Sequence, residues 1–145
     1  MSENNTSSAP AWFLIVGILA LIWNLMGVAA YVMQVTMSPD AMAALPEAER
    51  ALYETTPAWA TAAFAIAVNG GALGCLFLVL KKSWAVPLLQ LSLAGIAVQM
   101  FHAYFMTNSF EVFGPGSTIM PIMVIVVAVL LVWLAGSAKT KGWIN

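Results

Sequence analysis

The chain has 145 residues, 62% of them hydrophobic and 8% charged, against about 45–50% and 25% in soluble domains, which marks it as one domain of membrane composition. Five Lys and Arg against six Asp and Glu leave no positive excess to neutralise a phosphate backbone, which excludes nucleic-acid binding. A single cysteine, Cys75, excludes an intramolecular disulfide, a dithiol relay and a cysteine-built metal cluster.

Charges are so sparse that membrane spans can be read from the gaps between them, taking about 20 apolar residues as the length that crosses a bilayer. The gaps predict spans over about 11–37, 57–80, 83–106 and 118–138, none holding an Asp, Glu, Lys or Arg. Each is roughly 30–40 Å long at 1.5 Å per residue, enough to cross with some tilt. The expected fold is all-α: an integral membrane four-helix bundle forming a single transmembrane domain over 1–145. Val28, Ala29 and Ala30 have the small side chains of a signal cleavage site. However, Glu3 precedes the apolar stretch without any Lys or Arg, and the stretch outruns a signal h-region, so the first span is expected to be retained.

Between the first two spans, Ser38 followed by Pro39 reads as a helix start. Pro46 to Glu54 carries Ala48, Leu52 and Tyr53 at helical spacing and predicts a short amphipathic helix on the outer membrane surface. The second outer loop, 107–117, contains the turn signal Gly114, Pro115, Gly116 and is expected to be irregular.

Orientation follows from the rule that Lys and Arg of short loops stay on the cytoplasmic side. Lys81, Lys82, Lys139 and Lys141 belong inside; Asp40, Glu47, Glu49, Arg50, Glu54 and Glu111 belong outside. Both termini are then cytoplasmic, in keeping with a polar segment, Ser2 to Ser8, that needs no translocation. Trp12, Trp59, Trp84 and Trp143 fall at the expected interfaces, where amphipathic rings prefer to sit.

Polar side chains at membrane depth are the natural place to look for function, since each costs free energy unless it meets water or a partner. Asn24, Gly27, Tyr31 and Gln34 lie within an arc of about 80 degrees on the first span. Ser92, Gly95, Gln99 and His102 repeat that spacing on the third. Asn69 sits mid-span among Gly70, Gly71 and Gly74, while the fourth span is nearly all Val, Ile, Leu and Met and is expected to face lipid most.

Two readings compete for Asn24, Tyr31, Gln34, Asn69, Gln99 and His102: a pocket for a small polar solute, open to the outside, or hydrogen-bonding glue between helices. Gly70 and Gly74 form a GxxxG pair beside the small-residue ridge Ala63, Ala67, Gly71 and Cys75, expected to pack helix on helix within the bundle. Cys75 reads as packing.

His102 is the lone histidine, a neutral hydrogen-bonder or a proton switch. A haem would need a second copy for its ligands, and a metal would need Glu54 or Glu111 to reach His102. The expectation is therefore no metal and no cofactor.

The run ALPEAERALYETTPAWATAAFAIAVNGGALGCLFLVLKK, from Ala44 to Lys82, and the stretch WNLMGVAAYVMQ resemble a family of small bacterial inner-membrane proteins with four helices. Members often carry the label "sugar transporter", and the topology is similar to that of the DoxX-like group. The resemblance implies a location in the bacterial inner membrane and carries no site residues. Four-helix multidrug carriers are similar in size but use an embedded Glu, which no span here holds. The Pro-Gln signature of short three-helix sugar carriers is absent, Pro87 and Gln90 being separated by two leucines.

Two functional classes lead: a solute-binding or transporting protein, acting as an oligomer if it transports, and an accessory or scaffold subunit bound to a membrane-protein partner. An enzyme ranks last, because no nucleophile triad, phosphate loop or paired carboxylates stand at a plausible site.

Overall fold

A computed structural model describes residues 8–145; the expectation for Ser2 to Ser8 falls almost wholly outside that range. In chain order the elements are α1 (Ala11–Val35), α2 (Pro39–Ala43), α3 (Glu47–Glu54), α4 (Ala58–Val79) and α5 (Ala85–Phe101). The last of these runs on into a π-helical turn (His102–Met106), followed by α6 (Ser109–Phe113), a 3-10 turn (Pro115–Thr118) and α7 (Ile119–Thr140). No strand occurs among the described residues. Four helical stretches, α1, α4, α5 with its π turn, and α7 with its 3-10 turn, are long and apolar enough to cross a membrane.

Proline sets two of the starts. Pro10 and Pro57, in extended conformation, stand at the N-caps of α1 and α4, where a residue without an N–H loses nothing. Ser38 accepts from the Ala41 N–H at 3.1 Å and caps α2, whose first residue is Pro39.

Helices α4 and α7 end alike. Lys81 (φ 58) and Gly142 (φ 75) adopt left-handed conformations. Lys82 N–H reaches Phe77 O at 2.8 Å, and Trp143 N–H reaches Ala138 O at 2.9 Å, closing the last turns as Schellman motifs. Asn145 then clasps the α4–α5 turn, donating to Lys81 O at 3.1 Å and accepting from Ser83 N–H at 2.8 Å.

Helix α4 is the hub: α1 packs on one side of it and α5 on the other, with α7 lying against α5. Its small residues allow this. A Cβ on Gly70 would stand 3.2 Å from Leu88 O, and one on Gly74 2.7 Å from Leu89. The GxxxG pair is thus spent on α5, inside the chain. On the other side, Gly17 and Gly27 of α1 pack on Val79 and Val68.

The main core, with Phe13, Cys75, Leu78, Leu89, Leu134 and Ala135 among its members, fills the half of the bundle toward Lys81, Lys82, Lys139 and Lys141. Trp12 and Trp143 meet at that basic end with ring centroids 5.6 Å apart, and Lys141 Nζ stands 4.7 Å over the Trp143 ring. The acidic loops lie at the opposite end.

Three expectations need correction. Helix α7 is not the most exposed span: it buries Ala128, Leu131, Leu134, Ala135 and Ala138, whereas α1 buries only Phe13, Gly17 and Ala20, because α1 packs chiefly on α4. The 107–117 loop is not irregular. Glu111 lies in the first turn of α6, Gly114 (φ 82) ends it, and Ser117 Oγ donates to Gly114 O at 2.6 Å. Finally, α3 does not simply lie flat on the outer surface. It packs against α6, and its Leu52 and Tyr53 line a cavity in the bundle.

Candidate functional site

At mid-height, where α1 and α5 both cross α4, the polar groups are consumed by packing. Asn24 Nδ2 donates to Ala20 O at 2.9 Å and to Cys75 Sγ at 3.4 Å. Ser92 Oγ donates to Ala67 O at 2.5 Å across α4–α5. These bonds tie α1 and α5 to the hub, as the glue reading expects.

The acidic half is built differently. A vestibule of about 230 Å³ opens there between α1, α4 and the end of α5, roofed by α3 and α6. Its wall carries Gln34 from α1, Thr56 from just before α4, Thr61 from the first turn of α4, Gln99 from α5 and His102 from the π-helical turn. The π-helical turn begins at His102, and such widened turns re-aim side chains and recur at functional sites. The His102 ring is buried and stands edge-on to Trp59, with centroids 5.2 Å apart.

Thr56 and Thr107 donate to carbonyls one turn back, Leu52 O and Ala103 O, each at 2.6 Å. Gln34, Gln99 and His102 form no side-chain hydrogen bond with another of the described residues, and no polar side-chain atom is both sealed from solvent and unpartnered. All three line the vestibule with donors and acceptors that no described residue takes up. Among the described residues no Asp, Glu, Lys or Arg lines it, so it offers amide, hydroxyl and imidazole hydrogen bonding in a half-open site.

Gln99 and Phe64 form the far wall of the vestibule and also the near wall of a second, apolar chamber of about 340 Å³. The chamber lies between α1 and α7 with α4 and α5 behind, and Asn24 is its deepest polar group. Beyond it a void of about 30 Å³ shares Trp23, Asn24, Ile96 and Val124 and ends on Gly71 and Ser92, with room for about one water. Below that floor the packed core begins.

The structure thus brings together Gln34, Gln99 and His102, with Asn24 deeper on the same side. It does not bring in the other two expected residues. Tyr31 packs edge-on to Phe64 at 5.4 Å and lines neither cavity. Asn69 is exposed, on the face of α4 turned away from both cavities, and donates to Ala65 O of its own helix at 2.8 Å. Asn69 therefore stands apart from the residues that line the two cavities. Thr56, Thr61, Tyr53, Phe64 and Trp59 were not expected; the paired threonines before Pro57 were the available signal, as short polar side chains at a span entrance. Among the described residues no three His, Cys, Asp or Glu side chains converge on a point.

Comparison of the chain with known protein families, curated proteins and solved structures finds no match.

Proposed function

We propose that the protein is a multi-pass protein of the bacterial inner membrane that binds a small, uncharged polar solute in the vestibule, through Gln34, Gln99 and His102. Its acidic end faces out and both termini face the cytoplasm. The clustering of Lys81, Lys82, Lys139 and Lys141 at one end supports that orientation, and four helices long and apolar enough to cross a membrane support a multi-pass location.

One contrast carries the binding reading. Asn24, Asn69 and Ser92 each have a hydrogen-bond partner within the chain, whereas the vestibule's two glutamines and its histidine have none among the described residues. Amide and imidazole groups left open to a neutral cavity suit a hydroxyl-bearing solute such as a sugar or polyol. The packed basic half favours holding the solute over passing it, so movement across the membrane would need a second copy.

The test is calorimetric titration of neutral sugars and polyols into the purified protein in lipid nanodiscs. Binding by at least one of them, lost in Gln34→Leu and Gln99→Leu, is the expected result. Binding that both variants leave untouched, or binding to none of the panel, would overturn the reading.

A further inference from the structure

The apolar chamber is larger than the vestibule and has no role in holding a polar solute. Its lining is a hydrocarbon surface from Trp23, Met26, Val68, Met100, Met120 and Val124. Methionine supplies three of these, a flexible side chain that conforms to varied apolar shapes. The chamber opens sideways. Helix α1 packs on α4 and α7 on α5, but α1 and α7 do not pack on one another to comparable extent, and Met26, Ala30 and Met120 stand exposed along that gap. Gln99 and Phe64 line both cavities, so the chamber and the vestibule adjoin across these two side chains. A polar compartment at the acidic end thus adjoins an apolar one that reaches mid-depth and opens sideways, with only the Gln99 and Phe64 side chains between them.

Building on the vestibule reading, we infer that the ligand is a single-chain amphiphile whose uncharged, hydroxyl-bearing head sits against Gln34, Gln99 and His102 and whose hydrocarbon chain fills the chamber between α1 and α7. A head without charge matches a wall that holds no Asp, Glu, Lys or Arg among the described residues. A chain matches the chamber's apolar lining, each buried methylene adding to affinity. The two volumes, about 230 and 340 Å³, together fall within the range of sites that enclose one small organic molecule, about 300–1,000 Å³. Entry is lateral: the chain slides in past Met26 and Met120 while the head stays at the membrane face.

The probe is 1-lauroylglycerol, titrated into the full-length protein and counted by native mass spectrometry, with glycerol and a two-chain phosphatidylglycerol as comparisons. Ala30→Phe and Met26→Trp fill the lateral opening from its exposed rim, where added bulk meets no core. Val129→Phe adds similar bulk to an exposed position of α7 that lines neither cavity.

One lauroylglycerol per chain is expected, bound at least about tenfold more weakly by Ala30→Phe, Met26→Trp and Gln99→Leu and equally well by Val129→Phe. Glycerol should bind more weakly than lauroylglycerol and be indifferent to Ala30→Phe. Sensitivity to Gln34→Leu and Gln99→Leu without sensitivity to either chamber variant would overturn the chain's placement and leave the solute site standing. Sensitivity to the chamber variants alone would overturn both. Preferential retention of phosphatidylglycerol would overturn the single-chain assignment.

Discussion

Gly71 of α4 and Asn24 of α1 share one space: a Cβ on Gly71 would overlap the side-chain oxygen of Asn24, whose amide reaches past it to Cys75 Sγ at 3.4 Å. The glycine is there because the asparagine is, and the two together set how closely α1 approaches the hub.

Gly71→Ala is therefore expected to destabilise the protein by about 1–3 kcal/mol, the usual penalty for overpacking. Asn24→Ala should give back part of that loss in the double variant, since it removes the atom that the new methyl would strike. Unfolding in mild detergent, followed by circular dichroism, would measure all corners of the cycle. Additive losses would show that the clash is relieved elsewhere.

Gly95 poses a harder constraint. A Cβ there would stand 2.8 Å from Ala63 O and 2.9 Å from Ala67 N, both backbone atoms that no rotamer change can move. Gly95→Ala should force α4 and α5 apart and cost about 3 kcal/mol or more. Gly136→Ala, with nothing within 4 Å of the new carbon, should instead be neutral or gain up to about 1 kcal/mol from helix propensity. The paired thermal melts would reveal whether glycine matters here as space or merely as composition.

Ser92 and Gln99 lie two turns apart on α5 and are expected to separate in opposite senses. Ser92→Ala removes a bond to Ala67 O and should lower stability by about 0.6–1.7 kcal/mol, the range of interhelical bonds in membranes. Gln99→Leu removes none among the described residues and should leave the melting temperature unchanged or raised while abolishing ligand binding. A stability loss in Gln99→Leu as large as that in Ser92→Ala would return Gln99 to a packing role.

Orientation can be read by labelling. Cys75 is fully buried and contributes little background, so cysteines placed singly at Glu49 and Lys82 report on the two ends. A membrane-impermeant maleimide should modify Glu49→Cys in intact spheroplasts and Lys82→Cys only after permeabilisation. The reverse pattern would invert the proposed topology.

The four long helices were legible because charge is confined to their ends. The matching stripes on α1 and α5 were legible too: Asn24 and Ser92 both turn toward α4, and Gln34, Gln99 and His102 meet above them. The outward turn of Asn69 was not legible because apolar residues surround α4 evenly, so no pattern in its sequence says which side turns inward; the glycines beside it do, Gly70 and Gly74 lying against α5 and Gly71 against Asn24 of α1. Helix α6 escaped notice because the Gly114, Pro115, Gly116 turn dominated that stretch, although Glu111 and Gly114 are ordinary start and stop signals for a short helix. The roof over the vestibule depends on Leu52 and Tyr53 meeting a cavity wall from another element, a tertiary fact without a local signature.

The main core, sealing the bundle below Asn24, makes the cavities a cup. In the proposed orientation such a cup exchanges with the liquid above it and, through the gap between α1 and α7, with the lipid around it, and not with what lies beneath. Arrival and departure must use the same routes, so trimming Leu52 or Tyr53 at the rim would quicken both together and leave the equilibrium between them nearly where it was.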